Sequence, residues 1–101
     1  VFTACRPQPD TTVKKIYCFE VPSSTEWQSP MAEGAFMPNT FVNISDTLVK
    51  KLEALKAYKS EMKLWPHSRS IKAVEHLSCW RGASVGFEAA EAFMLTRNLI
   101  K

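Results

Sequence analysis

The chain of 101 residues is at most one domain, and 46% hydrophobic content with 23% charged residues excludes disorder throughout. Three glycines and six prolines exclude collagen-like or glycine-rich repeats, and no apolar run approaches the roughly 20 residues of a bilayer span. The net charge of +3 is uneven, with three basic and four acidic side chains in residues 1–45 against ten and six in residues 46–101.

Residues 1–6 show no charged segment leading into an apolar core, so no targeting peptide is visible, and the chain reads as a piece of something longer. Residues 13–21 (VKKIYCFEV) are rich in β-formers and bounded by Thr11-Thr12 and Pro22, which predicts a strand. Its last five residues are apolar on both parities except for Glu20, the pattern of a strand covered on two faces, and this suggests a parallel sheet between helix layers. Residues 22–40 form a long loop punctuated by Pro22, Pro30, Gly34 and Pro38. Loops of that length in compact domains are commonly functional or disordered. Trp27, Met31, Phe36 and Met37 make this one too apolar for a simple linker.

Residues 41–44 predict a short strand, followed by Ser45 as a helix N-cap with Asp46 in the first turn. Leu48, Leu52, Leu55 and Tyr58 define an apolar stripe opposite the lysines, on a helix ending near Met62. Ser68 or Ser70 can cap a second helix, with Ile71, Val74, Leu77, Cys79 and Trp80 facing inward and a stop near Gly86. Residues 87–100 read as a final strand. A chain of two or three strands and two helices leaves a sheet edge open for a partner to cover.

Glu20 ends the best-supported strand, where ligands collect in open α/β sheets. Ser23, Ser24, Thr25, Glu26 and Trp27 follow it, a set of three hydroxyls, a carboxylate and an indole that suits a sugar-like ligand. The same residues can equally turn the chain and pack on the core. Arg81 and Glu91 are both expected near the interior, where an unpaired charge is costly, so the two are expected to meet. Gly82 and Gly86 lie four apart and predict a close backbone approach. Cys5, Cys18 and Cys79 are an odd set without CxxC spacing, and neither His67 nor His76 has a partner at ligand spacing. A reducing, cytoplasmic location is expected, and no complete catalytic or metal set is present. Lys50, Lys51, Lys56, Lys59 and Lys63 are interrupted by Glu53 and Glu61, which favours a solvated helix face over a nucleic-acid surface.

Four ordered blocks carry a resemblance: residues 19–27 (FEVPSSTEW), 51–61 (KLEALKAYKSE), 80–86 (WRGASVG) and 90–93 (AEAF). Together they resemble the C-terminal part of the LmbE-like, or PIG-L, family of zinc-dependent hydrolases that remove acetyl groups from N-acetylglucosamine-type sugars. The resemblance implies a Rossmann-like, three-layer α/β/α fold, with residues 1–101 as a single C-terminal fragment of the deacetylase domain. It implies a zinc ion that polarises the amide carbonyl and activates water. That zinc would be held by an Ala-His-Pro-Asp-Asp-Glu motif absent here, in the N-terminal half of a parent chain. Glu20, Ser23, Ser24, Thr25, Arg81 and Glu91 are the residues it carries over to the substrate side. Glu61 stands where many relatives have Gln. The implied partners are the parent's N-terminal half, an acetylated amino sugar and a second copy in a homo-oligomer, with no nucleic acid and no membrane span. The alternative is a small α/β ligand- or protein-binding module, or an oligomerisation module, without catalysis.

Overall fold

A computed structural model describes residues 1–29, 31 and 34–100. The elements run β1 (Lys15–Phe19), a 3-10 turn (Thr25–Trp27), β2 (Thr40–Asn43), α1 (Leu48–Lys56), α2 (Ile71–Ala83) and β3 (Ala90–Asn98). The result is a small mixed α/β domain with one antiparallel sheet and two helices.

β3 is the centre of a three-stranded sheet of order β1-β3-β2, and both neighbours pair with it antiparallel. Phe19 faces Phe93 across β1 and β3, and Val42 faces Glu91 across β2 and β3. A bulge between Ile16 and Tyr17 shifts the β1 register, which locally strengthens twist. The expected parallel sheet is therefore corrected. A run of apolar residues on both parities reports β-propensity, not strand direction, and here Tyr17 and Phe19 are exposed rather than covered (44% and 65%). Among the described residues the outer edges of β1 and β2 carry no further strand.

The helices stack in series, α1 against α2 and α2 against β3 and β2. Ser70 caps α2 by accepting a hydrogen bond from the Ala73 N–H at 3.0 Å, satisfying one of the free donors of the first turn. Ser70 is itself only 2% exposed. We expect Ser70→Ala to lower stability by about 1 kcal/mol in urea unfolding, with no change in the sheet.

The inward stripe of α2 is Val74, Ser78 and Gly82, spaced by four. Cys79 and Trp80, expected inside, are exposed instead. Small residues let the helix approach closely: a Cβ on Gly82 would lie 2.7 Å from Ala89 Cα, Ala89 N and Phe87 O. The Ser78 hydroxyl donates to Val74 O at 2.9 Å, so its burial leaves no unpaired group. Gly86 lies beyond the helix with φ +82° and turns the chain toward β3.

α1 also departs from expectation. Ser45 is spent elsewhere: its N–H and hydroxyl donate to Asn43 Oδ1, and its hydroxyl accepts from Ala89 N. Thr47 takes the N-cap position without a side-chain hydrogen bond. The helix stops at Lys56, and Tyr58 is exposed rather than part of the apolar stripe. Leu48, Leu52 and Leu55 are half-buried. Most buried apolar side chains of the domain are small, with Ile16, Val74, Ala89, Ala90 and Ala92 in the core.

Candidate functional site

Chain leaves β1 at Phe19, and the next residue, Glu20, meets the last turn of α2. Arg81 Nε donates to Glu20 Oε1 at 3.0 Å and Arg81 Nη2 donates to Glu20 Oε2 at 2.6 Å. The planar guanidinium thus grips the carboxylate through both oxygens. The side chains are 21% and 18% exposed, so the pair is shielded from water but not sealed. The guanidinium also lies 5.7 Å from the centroid of the Phe36 ring, within cation–π range.

Two clefts meet at this pair. The larger, about 500 Å³, is lined by Glu20, Thr25, Glu26, Phe36, Ser68 and Arg81 among others. The smaller, about 290 Å³, shares Glu20 and Arg81 and is bounded by Phe19, Lys51, Glu91 and Phe93. A polar fork flanked by an aromatic ring and several hydrogen-bonding groups is a composition that fits a small polar ligand with an apolar face.

Six positions were read from sequence. Glu20, Thr25 and Arg81 come together in the larger cleft. Ser23 and Ser24 do not line it. Ser23, at φ +70°, donates its N–H to Glu26 Oε2 at 2.7 Å, and Ser24 caps the 3-10 turn through its backbone. Thr25 donates its hydroxyl to Val21 O at 3.1 Å. These three therefore build the turn that presents Glu26 and Trp27. Glu91 lines the smaller cleft and pairs with Lys51 of α1, not with Arg81. The expected Arg81–Glu91 pair is corrected: Arg81 is taken by Glu20.

Glu26, part of the set that follows Glu20 in sequence, also lines the larger cleft, and Gln28, Phe36 and Ser68 join it without having been singled out for it. Burial is the largest single influence on Glu26 and raises its pKa, but the nearby Ser68 hydroxyl and the backbone N–H groups of residues 23, 24 and 26 together outweigh it. The net effect holds Glu26 below its ordinary 4.5, so it is a carboxylate at neutral pH. The Ser68 hydroxyl is close enough to favour that charge yet makes no hydrogen bond of full geometry among the described residues, although it is buried. Trp27 stands edge-on to His67, with ring centroids 6.4 Å apart. The 22–29 loop is thus seated on residues 67–68, a contact that no local pattern announces.

Among the described residues no group of three His, Cys, Asp or Glu side chains is placed to hold a metal ion. The described residues therefore do not fit a zinc site on their own. Cys5, Cys18 and Cys79 are free thiols. Among the described residues no helix is long and apolar enough to cross a membrane. The chain matches no protein-family model, no curated protein and no solved structure.

Proposed function

We propose that this chain is the substrate-side portion of a hydrolase that removes N-acetyl groups from N-acetylglucosamine-type sugars. In this reading it belongs with the LmbE-like enzymes and forms the C-terminal part of a Rossmann-like, three-layer domain. The catalytic zinc belongs to the N-terminal half of the parent, and the chain by itself does not cleave amides. The observation that carries the reading is the Arg81–Glu20 fork opening on a cleft with Thr25, Glu26 and Phe36. Hydroxyl and carboxylate groups there can exchange hydrogen bonds with sugar hydroxyls, and the aromatic ring can cover C–H surface.

The test is ligand-observed NMR with N-acetylglucosamine and its oligomers, with glucosamine as the comparison. Saturation transfer to the acetylated sugar, weakened about tenfold in Glu26→Gln with Thr25→Ala, is the expected result. Equal signals from wild type and variant, or no transfer, overturn the cleft as the sugar site. Stoichiometric tight zinc uptake by the chain overturns the division of labour between the two halves.

A second reading, a binding or oligomerisation module without catalysis, is favoured by one observation. Tyr17 and Phe19 share a sheet face with Phe93 and are exposed, and Tyr17 meets Phe93 edge-on at 5.9 Å. A homodimer through that face would show in sedimentation equilibrium and would be lost in Phe19→Ser.

A further inference from the structure

The connector between α1 and α2 holds a second feature, which shares no lining residue with the Arg81–Glu20 clefts. A groove of about 500 Å³ opens there, and Lys56, Lys59, Lys63 and Lys72 all line it. No acidic side chain among the described residues lines it. The nearest acid in sequence, Glu61, turns to Arg69, with Oε2 3.6 Å from Nη1.

Between these lysines the chain exposes apolar bulk. Leu64 and Trp65 follow Lys63 in a turn closed by the His67 N–H donating to Leu64 O. Leu64 is 89% exposed and Trp65 51% exposed. Trp65 is also fixed in place, with the Lys72 ammonium 4.9 Å from its ring centroid and His76 edge-on at 5.4 Å. A fully exposed leucine beside a held tryptophan costs solubility and adds nothing to the core.

We infer that this lysine-ringed Leu64-Trp65 turn docks the protein on an anionic bilayer surface. Lysines near such a surface are drawn to its headgroups. Tryptophan is suited to the interface because one end of its ring is apolar and the other can hydrogen-bond. Leucine at the tip supplies the apolar contact that enters the acyl boundary. Charge complementarity selects an anionic occupant, and the exposed leucine selects a bilayer. Nucleic acid would use the lysines but not Leu64, and base stacking needs an open aromatic face where Lys72 already sits. The inference is independent of the sugar reading.

The experiment is co-sedimentation of the full chain with vesicles of phosphatidylcholine alone and with about one-third phosphatidylserine. Binding only to the anionic vesicles is expected, falling about tenfold in Leu64→Ser and again in Lys56→Ser with Lys63→Ser. These positions are exposed, and unchanged far-UV circular dichroism will establish that the variants fold. Brominated lipid should quench tryptophan emission in the wild type and not in Trp65→Phe, which retains Trp27 and Trp80. Equal binding to neutral vesicles, no binding, or binding indifferent to Leu64→Ser overturns the inference. So does retention of a double-stranded DNA fragment in place of vesicles.

Discussion

Gly82→Val is expected to lower the stability of the domain by about 4 kcal/mol, and Gly82→Ala by about 2 kcal/mol. Both follow from the atoms that a new Cβ would meet, which are Ala89 Cα, Ala89 N and Phe87 O at 2.7 Å. All three are backbone. A flexible side chain could swing aside, but here α2 or the start of β3 must move. Alanine in place of glycine gains about 1 kcal/mol of helix propensity, and overpacking a tight site costs about 1–3 kcal/mol or more. Contact with three backbone atoms puts the cost at the upper end, so the loss exceeds the gain. Valine adds a branched side chain at the same point. A domain of this size has about 5–15 kcal/mol in total, and either change is visible as a lower urea midpoint with unchanged slope. Gly86→Ala is the control, because nothing lies within 4 Å of its Cβ. Its φ of +82° gives a smaller penalty from backbone strain alone.

The same glycine shows how far the sequence is legible. Its spacing from Gly86 suggested a close approach, and Gly82 makes one. Gly86 has a different task, ending the α2 turn, because a glycine's surroundings are set by residues distant in the chain. Ser70 is a candidate cap by local rules alone, and β1, β2 and the part of β3 from Phe93 onward lie on runs that favour β-structure, whereas Ala90-Glu91-Ala92 at the start of β3 favours helix. Strand direction did not follow, since β1 and β3 are joined through pairings 74 or more residues apart. The buried stripe of α2 departs from the most apolar side of the helix for a related reason. Cys79 and Trp80 are more apolar than Ser78 and Gly82, yet the near contact with Ala89 admits only small side chains there.

In the site, Glu20 and Arg81 were each legible as unusual, but not as partners. The attraction acts between residues 61 apart, and Glu91 offered an equally reasonable carboxylate. Lys51 answers Glu91 from α1, a helix whose face toward the sheet was inferred from leucines rather than from its lysines. Ser68 entered the cleft only because the 22–29 loop folds across onto residues 67–68. Contacts of that kind depend on the path of two loops at once, which no periodicity encodes.

Arg81→Ala is expected to cost about 2–3 kcal/mol, somewhat less than the 3–5 kcal/mol seen when a fully buried pair loses one member, because both groups retain some exposure to water. The loss comes chiefly from Glu20, which keeps its desolvation and loses two charge-assisted hydrogen bonds. Arg81→Lys recovers only part of it, since an ammonium cannot span both carboxylate oxygens in one plane. The double variant Glu20→Leu, Arg81→Met separates scaffold from site. Replacing both charges by apolar groups of similar size can restore stability close to wild type, while removing the only fork that faces the larger cleft among the described residues. A folded double variant that no longer gives saturation transfer to N-acetylglucosamine assigns the fork to ligand binding. A folded double variant that binds the sugar as well as wild type leaves the pair with a structural role, joining the end of β1 to α2, and moves any sugar contact to Thr25, Glu26 and Phe36. Urea unfolding and sugar titration on wild type, Glu20→Leu, Arg81→Met and the double variant complete the double-mutant cycle, in which a coupling of about 2 kcal/mol is expected for stability.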